Sequence, residues 1–261
     1  MNLDLTAKRA LVCGSTQGIG KASAVELALL GADITLLARD EAKLRSTIQE
    51  LPTKKGQSHR YLIADFTLPD TLKSTIEKYA SGETVHILVN NTGGPPAGPA
   101  LAAQLQEFTA AFSNHLICNH ILVQALVPGM KKEKFGRIIN IISTSVKMPI
   151  KGLGVSNTIR GAVANWSKTL SVELAPFGIT VNNVLPGYSM TGRLEFVIND
   201  RAQRQKMSAQ DIIQEMITEI PAGRISTPDE IAAAVAFLAT PAAGYINGIN
   251  VPVDGGRLGT L

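Results

Sequence analysis

Hydrophobic residues recur along the chain in short runs, each closed by a polar or glycine-rich turn and followed by a stretch of helical spacing. The runs are Arg9–Cys13, Ile34–Ala38, Tyr61–Ala64, His86–Val89, Arg137–Ile142, Thr180–Leu185 and Ile249–Val253. Most are almost continuously apolar and rich in Ile and Val, as parallel strands must be when helices cover both faces. Helical spacing marks Gly20–Leu30, Glu41–Leu51, Thr71–Tyr79, Leu105–Leu126, Ile159–Leu174 and Pro228–Leu238. Strand alternating with helix predicts an α/β fold. It is a doubly wound, mostly parallel Rossmann-type sheet in three layers, with residues 1–261 forming one domain.

Ligands on such sheets bind beyond the carboxyl ends of the strands, where the strand order reverses. The first such turn, Cys13-Gly14-Ser15-Thr16-Gln17-Gly18-Ile19-Gly20, opens a helix. Its glycine spacing lets backbone approach a pyrophosphate, and the helix N-terminus offers unpaired N–H groups and a positive dipole end. Gly14, Ser15, Gln17, Gly18, Ile19 and Gly20 are therefore expected to cradle a dinucleotide. Arg39, ending the second run, can pair with a 2′-phosphate, which predicts NADP(H) with NAD(H) second. The plainer reading of Arg39 is a solvated cation. Asp40 is expected to cap the helix that starts at Glu41. Asp65 either accepts from an adenine amino group or serves only its turn. Asn91 and Gly93, in Asn90-Asn91-Thr92-Gly93-Gly94-Pro95-Pro96, suit a turn whose backbone touches ligand.

Composition narrows the classes. With 45% hydrophobic residues, 18% charged residues and a net charge of +4, the chain reads as globular, and no polybasic run beyond Lys131-Lys132 points to nucleic acid. Cys13 and Cys118 each sit in an apolar stretch and are expected to be buried thiols in a reducing, cytoplasmic compartment. No apolar run approaches the ~18 residues of a membrane span, and no signal-peptide layout is present, so no membrane partner is expected. No His, Cys, Asp or Glu cluster has metal-site spacing, so no metal is expected either.

The glycine turn, the Asn-Asn-x-Gly turn, Ser143, the Pro186-Gly187 turn and the closing Val253-Asp254-Gly255-Gly256 stand in one order. In that order the chain resembles the short-chain dehydrogenases/reductases over nearly its whole length, most closely members known as 3-oxoacyl-(acyl-carrier-protein) reductases. The resemblance implies an NAD(P)(H) cofactor, a small-molecule carbonyl or acyl substrate that includes 3-oxoacyl thioesters, and a tetramer. The apolar helices around Asn114–Leu126 and Ile159–Leu174 suit pairing across a two-fold axis, so a homo-oligomer is expected, a tetramer first and a dimer second. The resemblance also implies a tetrad of Asn, Ser, Tyr and Lys. There the tyrosine gives the proton, the lysine lowers its pKa and holds the nicotinamide ribose, the serine polarises the carbonyl, and the asparagine supports a water relay.

Ser143 and Asn114 match two members of that tetrad. Thirteen residues beyond Ser143, where the tyrosine belongs, stands Ser156, and four residues later stands Arg160. Tyr-x3-Lys has become Ser-x3-Arg. An aliphatic hydroxyl is a far weaker acid than a phenol. Arginine stays protonated, so Arg160 can clamp ribose hydroxyls or stabilise an oxyanion but not relay a proton. By the same resemblance Pro186, Gly187 and Thr191 flank the nicotinamide. Tyr188 is expected to flank cofactor or substrate, with a relocated acid as the second reading; His115 and His120 are expected at a helix interface, with a proton donor as the second reading. Within 188–221, Ile212, Ile213, Met216, Ile217 and Ile220 share one helical face, predicting either a mobile substrate lid or a helix pair packed on the core. Two functions stay open: an NADP-dependent oxidoreductase with an atypical Asn114/Ser143/Ser156/Arg160 site, and a non-catalytic NADP(H)-binding sensor or partner subunit.

Overall fold

The computed structural model describes residues 1–260. Among them seven strands form one parallel sheet: β1 (Arg9–Cys13), β2 (Asp33–Ala38), β3 (Arg60–Ile63), β4 (Ile87–Asn90), β5 (Gly136–Ile141), β6 (Ile179–Pro186) and β7 (Asn250–Val253). Their spatial order is β3-β2-β1-β4-β5-β6-β7. The chain builds outward from β1 in one direction, then restarts at β4 in the other, so the reversal opens a crevice between β1 and β4. β4 and β5 are buried at every residue, which is why they read as unbroken apolar runs. β3 and β7 lie at the edges and are partly exposed, which accounts for their mixed sequences.

The helices are α1 (Gly18–Leu29), α2 (Glu41–Gln49), α3 (Pro69–Gly82), α4 (Leu105–Phe112), α5 (Cys118–Glu133), α6 (Gly154–Leu174), α7 (Gly192–Gln205), α8 (Ala209–Thr218) and α9 (Pro228–Ala239). One face of the sheet is closed by α1 and α9 through Leu27, Ile34, Val89 and Ile231. The other is closed by α3, α5 and α6 through Leu72, Leu122, Met130 and Leu170. The expected cap on α2 is present: the Asp40 carboxylate accepts from the Lys43 amide at 3.1 Å. Helical backbone is continuous from Leu105 to Glu133, longer than its sequence pattern suggests and apolar enough by length and composition to span a membrane. Its Cys118, Leu122, Leu126 and Met130 side chains are packed into the core beneath the sheet.

Strand register also aligns four asparagines in one row. Asn90 faces Asn140, Asn140 faces Asn183, and Asn183 faces Asn250. Their amides bond in line at 2.8, 2.9 and 2.8 Å, so groups that would be costly to bury singly satisfy one another. The row ends at Asn90 Oδ1, which is buried and has no hydrogen-bond partner.

Candidate active site

A cleft of about 1170 Å³ lies beyond the carboxyl ends of the strands. The turn after β1 and the N-terminus of α1 form one end of it through Gly14, Gln17, Gly18 and Ile19. Two expected cradle residues, Ser15 and Gly20, are set back from it. Ser15 is fully buried and its Oγ accepts from the Leu37 amide at 3.1 Å, so its side chain fastens the turn to β2. A Cβ on Gly20 would stand 2.2 Å from the Gly14 carbonyl oxygen, an impossible contact. Glycine there lets α1 start directly against the turn, which aims its free N–H groups into the cleft. Asn91 reinforces the arrangement, its amide donating to the carbonyls of Cys13 (3.3 Å) and Gly14 (3.2 Å).

Arg39 and Asp65 line the same end. Arg39 is exposed. Asp65 gives one carboxylate oxygen to the Thr67 amide (2.8 Å) and hydroxyl (2.9 Å), which holds its pKa below the usual carboxylate range. The turn role considered for Asp65 is thus realised. Gly93 lines the wall between the two ends.

At the other end, β5 delivers Ser143, whose Oγ accepts from the Ser145 amide at 3.1 Å. Asn114 reaches the cleft from a π-helical turn, Ser113–Ile117, inserted between α4 and α5. The wider turn re-aims side chains within an otherwise continuous helix. α6 begins at Gly154, five residues earlier than its periodicity suggests, and so carries both Ser156 and Arg160, one turn apart, on the face lining the cleft. Arg160 is only 8% exposed, and it meets one protein acceptor among the described residues, the Ile141 carbonyl at 3.1 Å. No carboxylate of the described residues pairs with it. Burial, aided by the charge of Arg193, pushes its pKa down to about 10, so it remains a cation at neutral pH.

Thr92, absent from the sequence-based expectations, also lines the cleft, and its Oγ1 shares a hydrogen bond with His115 Nδ1. Its only sequence signal was its place within the Asn-Asn-x-Gly turn. His115 is 3% exposed; burial first and then Arg160 push its pKa down to about 3, leaving a neutral ring. His120 instead accepts from the Trp166 indole at 3.4 Å, away from the cleft.

Pro186, Gly187 and Thr191 close the far wall, with Thr191 also capping α7 through the Leu194 amide at 3.3 Å. Gly187 backs onto Asp254, so this turn is set by the closing segment of the chain. Among the described residues, Tyr188 is the one tyrosine lining the cleft. Its hydroxyl donates to Glu219 (3.2 Å) and accepts from Arg257 (3.1 Å), and the Arg257 guanidinium lies 4.3 Å from the ring centroid. Burial raises its pKa, so it is not tuned as a proton donor. α7 and α8 make their own apolar cluster from Leu194, Ile198, Ala202, Ile212 and Met216, tied at the surface by Arg201 and Glu215 at 2.6 Å. Among the described residues no group of three or more His, Cys, Asp or Glu converges as a metal site.

The chain is similar to known proteins over nearly its whole length. The profile of the family described as "Enoyl-(Acyl carrier protein) reductase" matches residues 14–257. The chain is 33% identical to the 3-oxoacyl-(acyl-carrier-protein) reductase FabG of Vibrio cholerae over 97% of its own length and 98% of the relative's. It is 28% identical to the NADPH-dependent reductase BacG of Bacillus subtilis over 98% of its length and 100% of the relative's. Among solved structures, L-sorbose reductase from Gluconobacter frateurii, complexed with NADPH and L-sorbose, superposes with a TM-score of 0.93 at 28% identity, covering 100% of both chains. With a glycine turn at the strand reversal, a serine after β5 and a family match over nearly its full length, the chain belongs to the short-chain dehydrogenase/reductase family.

Proposed function

We propose that the protein is an NADP(H)-dependent oxidoreductase that interconverts a carbonyl compound and the corresponding alcohol, through a site in which Ser156 and Arg160 stand in for the family's tyrosine and lysine. One observation carries this reading. The glycine-built N-terminus of α1 opens onto the same cleft as Ser143, Asn114, Ser156 and Arg160. The residues fit a phosphorylated dinucleotide. Gly20 lets the N-terminus of α1 start directly against the turn so that its backbone can meet a pyrophosphate, Arg39 supplies a cation for a 2′-phosphate, and Arg160 is a buried guanidinium with donors to spare. Gly14, Gln17, Gly18, Ile19, Asn91 and Gly93 would hold the phosphate and ribose portions. Asp65 would hold the adenine, and Pro186, Gly187 and Thr191 the nicotinamide, with Ser15 and Gly20 supporting from behind. When bound, the cofactor supplies or accepts the hydride.

The chain's own residues act on the oxygen. Ser143 and Ser156 offer hydroxyl donors to the carbonyl. Arg160, in a buried and weakly screened position, stabilises the negative charge that reduction leaves there. Neither hydroxyl is acidic enough to replace a phenol, so the proton comes from water, which Asn114 would hold. The lid reading of 188–221 is supported by the separate apolar cluster of α7 and α8. A homotetramer built on α4, α5 and α6 is supported by Phe112, Ile117 and Val172, which stand 42%, 37% and 69% exposed; light scattering tests it.

The alternative, a non-catalytic NADP(H) binder, is favoured by the engagement of Tyr188 with Glu219 and Arg257. One comparison decides between them. NADPH binding is followed by its fluorescence, and NADPH oxidation is followed with acetoacetyl thioesters and a panel of ketones. Both are measured for the natural chain and for Ser156→Tyr combined with Arg160→Lys. Turnover by the natural chain is expected, with the double substitution raising it by about 10²–10⁴. Saturable binding with turnover only in the double variant would establish the non-catalytic reading. Absence of saturable binding would defeat both.

A further inference from the structure

Charge at the substrate end of the cleft is unbalanced. The acidic residues lining the cleft are already engaged: Asp65 with Thr67, Asp200 with Arg204 at 3.0 Å, and Glu219 with Arg257 at 2.6 Å. Arg201, also in the lining, is paired with Glu215. Arg160 and Arg193, both in the lining, have no carboxylate partner among the described residues. Arg193 starts α7 and reaches back across the Gly93-Gly94-Pro95 turn, where it donates to the Pro95 carbonyl at 2.8 Å and lies 3.9 Å from where a Cβ on Gly94 would stand. Its charge is felt at Arg160. A guanidinium that is nine-tenths buried, with a single carbonyl as its protein acceptor among the described residues, is costly unless a ligand brings negative charge to it.

We propose that the substrate carries a free carboxylate within a few atoms of the reacting carbonyl, held between Arg160 and Arg193, so that the preferred class is an oxo acid and its hydroxy acid rather than a neutral ketone or thioester. This rests on the oxidoreductase reading and narrows it. Ser156 precedes Arg160 by one turn of α6 and both line the cleft, so a group on that guanidinium is only a short chain from an oxygen facing the Ser156 hydroxyl. A planar carboxylate suits guanidinium forks in bidentate fashion. The reduction balances as two electrons and one proton delivered as hydride from NADPH, with one further proton from water, giving hydroxy acid and NADP+.

The test compares matched substrates with the full-length chain at saturating NADPH: acetoacetate against methyl acetoacetate and acetoacetyl thioester, and levulinate against methyl levulinate. The acids are expected to exceed their neutral partners in kcat/KM by about tenfold or more. Arg193→Gln should collapse that preference by a similar factor, while Arg204→Gln, whose guanidinium is already paired, should retain it. Independently of turnover, calorimetric titration with malonate should show saturable binding that weakens about tenfold in Arg193→Gln. Equal or better use of the neutral partners would overturn the inference and leave the oxidoreductase reading standing. Malonate binding that is absent, or indifferent to Arg193, would also overturn it. Failure of NADPH to bind, with Arg193-dependent malonate binding intact, would instead remove the oxidoreductase reading and keep the anion site.

Discussion

The two ends of the cleft are built by different means. The end assigned to the nucleotide is made of backbone: a glycine turn whose carbonyls accept from the Asn91 amide and a helix N-terminus, with one exposed guanidinium added. The chemical end is made of side chains delivered from separate elements: Ser143 after β5, Asn114 from a π turn, and Ser156 with Arg160 from α6. Backbone sites demand particular residue types at fixed local spacing and tolerate little change. A side-chain site can exchange its chemistry while the scaffold stands, which is the exchange we propose for Ser156 and Arg160.

Four substitutions or conditions would sharpen or break this contrast. Gly20→Ala should have the largest effect on cofactor binding, because its methyl group must displace either α1 or the Gly14 carbonyl. The cost lies near the upper end of overpacking, about 3 kcal/mol, so the Kd for NADPH should rise by about 100-fold in a fluorescence titration. An unchanged Kd would mean that backbone fit does not govern this end.

Arg160→Met should separate stability from function. Removing a buried cation without a counter-ion is expected to raise stability by about 1–3 kcal/mol in urea unfolding while lowering kcat/KM by about 10²–10³. Parallel loss of both would assign Arg160 a structural role.

Lowering the pH tests His115. Its folded pKa of about 3 lies below the unfolded value near 6.5, so the unfolded state binds the proton first. Its contribution is present above about pH 6.5 and is lost as pH falls towards 3. Unfolding free energy should therefore drop by about 2 kcal/mol between pH 7 and pH 5 from this group, and His115→Gln should flatten the slope. His86, also buried with a pKa lowered to about 4, adds in the same direction.

The smallest effect is expected for Arg39→Ala, an exposed cation. NADPH affinity should fall about tenfold with NADH affinity little changed, and salt should weaken the difference. Equal losses for both nucleotides would remove the 2′-phosphate assignment.

The sequence alone determined the strand–helix alternation, the glycine turn and the cap at Asp40, because each depends on residues adjacent in the chain or on burial on both faces of a sheet. Helix limits were less legible. α6 starts at Gly154 because its first turn packs as part of the site wall, a fact that periodicity does not carry. Only the tertiary structure decided that Thr92 meets His115, that Glu219 and Arg257 immobilise Tyr188, and that Arg160 and Arg193 have no counter-ion among the described residues. Those relations join residues far apart in the chain. Solvation and pairing of a charge are set by whatever the fold brings within a few ångströms of it, and no local pattern encodes that.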